Sequence, residues 1–458
     1  MEGESTELNQ VVLVGTRRAG RVKMETPVPV DIVNVEQASM PTGKMDLTAV
    51  LNYAAPSLNY NKQTGSDGAD HIDLATLRGL GPDQTLVLIN GKRRHQTAFV
   101  AMFGTRGRGN SGTDLNAIPI SAIDRVEILR DGASAQYGSD AIAGVINIIL
   151  KKNVKHFSAN AGYAGYTDKT YSTYQKQSLG QYEVPKSGID GNTFTFGANY
   201  GVPLGTKGGF INFSVDFLNS GKTFRQVLDT ANLLKNENAL PMNIYRRAHG
   251  DGSLTAAGLF YNLETPIKSG AASFYSFGGY NFKSSDAFAF TRNFSARPER
   301  FVTDANGDLI DVPGIIKTSS DGEKYFDPHI QTHIQDYSFA FGFKGISKKG
   351  WNWDLSNTTG TNKFHFFGDK TFNASSGDPG WNHFDDGGFT FSQNTTNLNF
   401  SKELKGIMQG FNLAWGAEFR HERYTLFAGE EGSYTNYDPS GVKASGAQGF
   451  PGYQPSDE

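Results

Sequence analysis

Three spacings in this chain could carry chemistry, and each lacks a necessary part. Gly107-x-Gly109-x-x-Gly112 has the glycine pattern of a dinucleotide-binding turn. That turn needs a strand leading in and a helix leading out. Here no βαβ-type strand precedes it, and the next residues run into Pro119. Asp304-x-Asn306-x-Asp308 has the spacing of a calcium loop, but Leu309 stands where the sharp turn needs glycine and Ile315 where the bidentate glutamate should be. His329 and His333 are four apart, yet Pro328 beside them argues for a loop. The nine histidines show no H-E-x-x-H pattern, and there are no cysteines. That excludes disulfides, Cys-ligated metal and a thiol nucleophile. The residues make no case for an enzyme and imply no cofactor and no metal.

Binding chemistry is better represented. Between Asp83 and Asp114 there is no acidic residue, while Lys92, Arg93, Arg94, Arg106 and Arg108 all fall there. Phe99 and Phe103 lie among them. Arginines beside apolar rings suit an anionic ligand with an apolar body. Packing of the same loop on a neighbouring wall is the plainer alternative.

Composition divides the chain that must position this loop. Residues 1–150 hold only five aromatics: Tyr53, Tyr60, Phe99, Phe103 and Tyr137. The remaining 308 residues hold all the others, so a domain boundary belongs near Lys151-Lys152-Asn153. A net charge of −3 gives no electrostatic footprint for nucleic acid. No run approaches the roughly 20 apolar residues of a membrane helix, and mean hydropathy is −0.43. Transmembrane barrels escape both tests, because their strands alternate.

The first part reads as a small α+β domain. Val28 to Val35 alternates as a strand, Asp46 is placed to cap a helix through Asn52, and Thr85 to Ile89 is a buried strand before the Asn90-Gly91 turn. Gln96 to Thr113 should be loop. Then comes the most regular block, Leu115 to Leu150. Ile118-Pro119 opens a short helical turn, Arg125 to Arg130 is a half-buried strand, Ser134 to Tyr137 is one helical turn ending at Gly138, and Ala143 to Leu150 is a buried strand.

The second part repeats short alternating stretches separated by turns. Phe194, Phe196, Ala198 and Tyr200 share one face, as do Ile211, Phe213, Val215 and Phe217. So do Tyr337, Phe339, Phe341 and Phe343, and so do Leu413, Trp415, Ala417 and Phe419. Trp351, Trp353 and Leu355 continue the pattern, and 155–166, 271–283 and 396–404 are further candidates. Small or polar residues fill the opposite faces. Soluble β-sandwiches alternate too, but large aromatics on the outward face are the mark of a transmembrane barrel. Short turns at 205–209 and 348–350 alternate with long polar connections at 220–266 and 284–335. The expected count is about eight strands, too few to enclose a 150-residue domain.

The Leu115–Leu150 block resembles the end of the plug domain of TonB-dependent outer-membrane receptors. The matching residues are Ile118, Pro119, Ile123, Asp124, Arg125, Glu127, Leu129, Arg130, Tyr137, Gly138 and the Gly144 to Ile148 run, with Ala143 where the family often has glycine. A second matching block runs from Arg78 to Arg94. The resemblance implies an α+β plug domain followed by an antiparallel transmembrane β-barrel. The family's barrel has about 22 strands, so the barrel is expected to be incomplete in this chain. The expected division is 1–20 as an N-terminal segment, 21–153 as plug and 154–458 as the first part of the barrel. The acidic, polar start lacks a secretory signal, which for an outer-membrane protein would have been removed or fallen outside the sequence.

Function follows as an expectation from the same resemblance: energy-coupled uptake of a scarce nutrient, such as a ferric siderophore, across the bacterial outer membrane. Val11, Val12, Leu13 and Val14 would be the TonB box, adding as a strand to TonB, which the inner-membrane motor proteins drive. An ordinary first plug strand is the alternative for that run. Arg106, Arg108, Phe99 and Phe103 would meet the ligand, possible forms of which include an anionic metal chelate. Arg78, Arg125 and Arg130 would pair within the plug, with Asp124, Glu127 or Asp131, or across to the wall, where Glu418 is an inward candidate. A passive channel or adhesin barrel without energy coupling is the competing reading.

Overall fold

The computed structural model describes residues 29–42, 46–60, 62–65, 67–74, 76–101, 107–167, 189–225, 250–267, 271–318, 322–404, 407 and 411–457. The first unit is a mixed sheet. Its strands are β1 (Val30–Asn34), β4 (Thr85–Ile89), β5 (Lys92–Arg93), β6 (Ile123–Leu129) and β7 (Gly144–Leu150), in the order β1-β6-β7-β4-β5. A two-stranded ribbon, β2 (Leu58–Asn59) with β3 (Thr76–Leu77), lies beside it. Strand β7 is buried at every residue, as its β-branched run demands, and pairs parallel to β4 and antiparallel to β6. Aliphatic side chains from one face, such as Val87, Val126 and Ile146, close on the helix Leu47–Ala54.

Local chemistry sets the ends of these elements. The Asp46 carboxylate accepts from the Ala49 N–H at 2.8 Å and starts that helix. Asn90 and Gly91 both take positive φ, the conformation a two-residue hairpin turn needs. Two short 3-10 turns, Leu115–Ala117 and Ile120–Ala122, flank Pro119 where one helical turn was expected. Ser134–Tyr137 is a single helical turn ending at Gly138, at φ +92°. Gly144 has φ +148°, and a Cβ there would run into the Leu129 carbonyl of the neighbouring strand.

The second unit is one antiparallel sheet of nine long strands, ordered in chain sequence. These are β8 (Phe157–Thr167), β9 (Ile189–Leu204), β10 (Gly209–Ser220), β11 (Ser253–Ile267), β12 (Ala272–Phe288), β16 (His329–Ile346), β17 (Asn352–Asp369), β18 (His383–Leu404) and β19 (Phe411–Phe427). Between β12 and β16 a loop carries a small sheet of its own, from β13 (Arg292–Asn293), β14 (Lys317–Thr318) and β15 (Lys324–Phe326). Tight turns join β9 to β10 and β16 to β17, while long connections leave the other end. Among the described residues β8 and β19 each pair with one neighbour, so the wall is an open arc curved around the first unit.

The strand count corrects the expectation of eight. Strand β11 lies within the stretch expected to be a loop, and its register runs Phe213 opposite Tyr261. Its outward positions include Thr255 and Ala257, and Glu264 and Pro266 sit near its end, so it lacks the aromatic signature. Strands β16 to β18 are also longer than the alternating stretches indicated, because in their outer halves Phe364, Phe366 and Phe389 turn inward among polar neighbours. His329 and His333 lie on β16 rather than in a loop.

The facing assignment agrees with the alternation. On β10, Phe213 is 45% exposed while Ser214 beside it is 3% exposed, and Phe217 contrasts in the same way with Asn212. On this strand the aromatics therefore face outward, and small polar groups face the enclosed domain.

Candidate functional site

The working surface is the contact between the first unit and the wall. The β4–β5 hairpin drives a row of basic residues into it. Lys92 pairs with Asp354 of β17 at 2.6 Å, and the Tyr275 hydroxyl donates to the same carboxylate at 3.0 Å. Arg94 and His95 both reach Asp336 of β16. Asn362 donates to Asp336 at 3.0 Å and accepts from the Ala98 N–H at 2.9 Å. Arg94, His95, Asn362 and Asp336 are buried, so the charge on Asp336 is matched and hydrogen-bonded, as a buried carboxylate must be. Burial, and then the neighbouring Arg94, push the His95 imidazole below its ordinary range. Gly360 of β17 faces this ring, and a Cβ there would overlap it.

Other contacts repeat the theme from both sides. Lys283 of β12 meets Asp114, which also caps the Leu115–Ala117 turn. Arg420 of β19 reaches Asp140 at 3.0 Å, and Arg93 meets the same carboxylate. Burial works against the Asp140 charge, but Arg93, Ser139 and Arg420 outweigh it and hold its pKa below the usual carboxylate value. Asp216 of β10 accepts from the Ser121 N–H at 3.2 Å. Apolar patches interrupt the polar seam: Phe260, Phe277 and Ala340 join the aliphatic core of the first unit. A polar cavity of about 210 Å³ also lies in the seam, lined by groups that include Lys62, Asp73, Asn116, Asp216 and Lys283.

Several expected site residues stand elsewhere. Arg78 meets Asp131, Arg125 meets Asp124 and Glu127, and Arg130 meets Asp31, so these pairs lie within the first unit rather than across to the wall. Glu127 is wholly buried and also accepts from Asn147, whose own oxygen holds the Gly91 N–H at 2.9 Å. Arg125 and Arg130 act from β6 and its end, which lie beside β1, and Arg78 acts from the turn after β3. Glu418 does face inward, 3.9 Å from Arg93.

The basic loop is divided. Phe103 and Arg106 lie outside the described residues, as does the Val11–Val14 run. Arg108 is exposed on a turn. Phe99 does not offer an open apolar surface: it is fully buried, with ring centroids 5.3 Å from Phe364 and 6.4 Å from Phe389 of the wall. Its loop must cross to the wall at that point, and the wall's inward rings supply the pocket. Gly107, Gly109 and Gly112 form a tight loop, with Gly109 N–H bonded to the Ala101 carbonyl at 2.7 Å. Asp304 binds the N–H groups of Asn306 and Asp308 at 2.9 Å, a self-closed turn.

The wall partners Asp336, Asp354, Lys283 and Asp216 were the residues sequence reasoning missed. The signal was available: a charge at an inward position of an alternating strand must find a partner on whatever fills the interior.

A plug-like domain filling an arc of outward-aromatic strands defines the class: a plugged transmembrane barrel wall. A family model described as TonB-dependent Receptor Plug Domain matches residues 22–145. The Ferric enterobactin receptor of Pseudomonas aeruginosa is 30% identical over 151 residues, which is 33% of this chain and 20% of that protein. A Probable TonB-dependent siderophore receptor of Acinetobacter baumannii is 41% identical over 97 residues, 21% of this chain and 12% of that one. Among solved structures, a ferric enterobactin receptor mutant from P. aeruginosa, in complex with enterobactin, aligns with TM-score 0.54 at 16% identity, over 86% of this chain and 49% of that one. The aligned part thus spans about half of that solved receptor and a fifth or less of the two curated relatives. Residues 22–145 match the TonB-dependent receptor plug domain, and the strands that follow share the fold of the aligned receptor's barrel wall.

Proposed function

We propose that the chain serves energy-coupled uptake of a ferric siderophore through the outer membrane. The observation that carries this reading is the seat of the plug. A domain matching the receptor family's plug fills the wall's interior, held by charged pairs that alternate with apolar patches. Such a seat is specific yet separable, since each pair can be rehydrated when it opens. Residues 1–20 carry the coupling segment, with Val11, Val12, Leu13 and Val14 adding as a strand to TonB and the inner-membrane motor pulling on it. The plug takes 21–153 and the barrel 154–458. The ligand is anionic and is met first by Arg106 and Arg108. No covalent chemistry is required of any residue.

The test is uptake of a radiolabelled ferric siderophore by cells carrying the receptor. Removing residues 8–16 should stop uptake and leave surface binding intact. Persistent uptake would instead mean a passive channel. Replacing Arg106 and Arg108 together by alanine should weaken surface binding at unchanged receptor abundance, with a smaller loss at high salt.

A further inference from the structure

At the outer end of the wall, on its outward face, lies a cluster separate from the pairs that seat the plug. Asp286 ends β12, His329 begins β16 and Asp369 ends β17, and the register sets His329 directly opposite Asp369. One ligand atom from each lies within 4.8 Å of the others. Their parity puts them on the same face as Tyr337 and Phe339, several residues beyond the aromatic band. The rim therefore stands above the hydrocarbon, where water and ions have access.

Three features prepare the cluster for a cation. Gln331 donates to Asp286 at 2.9 Å and to Asp369 at 3.2 Å, so one amide holds two like charges together. His329 is 2% exposed and packs edge-on against Phe288, with centroids 4.9 Å apart, which fixes its ring. Its Nδ1 lies 2.9 Å from Asp286, so the ring presents a ligand nitrogen to the cluster. Lys222 puts its ammonium 2.6 Å from Asp286 and 3.2 Å from His329 Nδ1. A cation already has a place there, and Lys222 reaches it from a connection outside the sheet. An open cavity of about 370 Å³, bordered by Lys222, Asp286, His329 and Lys370, leaves room for further ligands.

We propose that Asp286, His329 and Asp369 form a divalent transition-metal site that staples the roots of the loops at 289–328 and 370–382. Two carboxylate oxygens and one imidazole nitrogen suit borderline ions such as Zn²⁺ better than Mg²⁺. Binding displaces the Lys222 ammonium, because the two cations share one position. Water or an incoming oxygen donor completes the shell from the cavity.

The test uses the whole chain in detergent after chelator treatment, titrated with Zn²⁺ by calorimetry and with Co²⁺ by visible absorption. One saturable site is expected below about 100 µM, roughly the −5 to −6 kcal/mol range of affinity. Asp369→Asn and His329→Gln should each weaken it tenfold or more. Lys222→Met should tighten it severalfold, which a merely structural role for the cluster would not do. His421→Gln, on β19, is the control and should change nothing. The Co²⁺ spectrum of the unmutated chain, showing nitrogen and oxygen ligation, reads the site even where a variant folds poorly. Absence of saturable binding in the unmutated chain, or binding indifferent to both ligand substitutions, overturns the proposal.

Discussion

The plug and the wall solve the burial problem in opposite directions. The plug's core is aliphatic, built from residues such as Val50, Val126, Ile146 and Ile148, with the buried Glu127 held by Arg125 and Asn147. On the wall, Phe213, Phe339 and Trp415 point outward while Ser214, Asn212 and Asp336 point inward. Water drives the first arrangement and lipid permits the second. Where the two meet, charged pairs such as Arg94 with Asp336 alternate with apolar patches such as Phe99 against Phe364. Neither surface could be inferred from the other's rules.

The sharpest way to break this comparison is to spoil one pair at its most buried point. Asp336→Ala strands Arg94 and His95 without their carboxylate, which should cost about 3–5 kcal/mol. Hydrogen exchange of the β4–β5 hairpin should rise strongly in detergent-solubilised receptor. Unchanged protection would mean that apolar contacts seat the plug by themselves.

The lipid-facing side is next. Phe339→Arg, in mid-wall, should cost about 2–4 kcal/mol in unfolding from lipid. Arginine at the inward Asn397 should cost clearly less. Equal losses would show that the face assignment of β16 or β18 is wrong.

A smaller effect tests the plug's outer loops. Burial, with Asp70 nearby, pushes the Asp67 carboxyl up to about 6, against the partial opposition of Arg292. Its folded pKa lies above the unfolded value near 4. The stability it contributes is therefore full below pH about 4 and lost as pH rises through about 6. Protection of residues 67–71, corrected for intrinsic exchange, should fall by about 1–2 kcal/mol over that window, once solvent screening is allowed for. Asp67→Asn should flatten the dependence, and a profile identical to the unmutated chain would remove Asp67 as its source. The smallest change is local: Asp46→Ala should cost about 1 kcal/mol, as loss of an N-cap does. Thermal unfolding that shows no difference would mean that Asn116, bonded to Thr48 at 3.1 Å, holds the helix start unaided.

Much of this was legible in the chain. The Asn90-Gly91 turn, the Asp46 cap, the Gly138 stop and the buried run of β7 follow from local chemistry, so short windows reveal them. The face of each aromatic strand was equally readable from its period. Strand β11 was not, because Ala256, Ala257 and Gly258 blur the alternation. The assignment of Arg125 and Arg130 depended on which strand lies beside β6, a long-range fact that no local pattern contains. Phe99 was misread for the same reason: its pocket is made by Phe364 and Phe389, more than two hundred and fifty positions away in the chain. The wall carboxylates could be recognised as inward, but not matched to Lys92 or Arg94 without the register.

The polar cavity between Asp73, Asn116, Asp216 and Lys283 has a mechanical meaning. A dry seam would have to part all at once, because separating apolar surfaces without water leaves a void. A wetted seam can exchange partners one at a time, with each freed charge taken up by solvent as it lets go. The plug thus has a cavity beside it on the side facing β10 to β12, where the buried Lys283–Asp114 pair still holds it, and is clamped on the side facing β16 and β17. A pull on it should turn the plug about the clamped side before drawing it free, so that the first opening runs along β10 to β12.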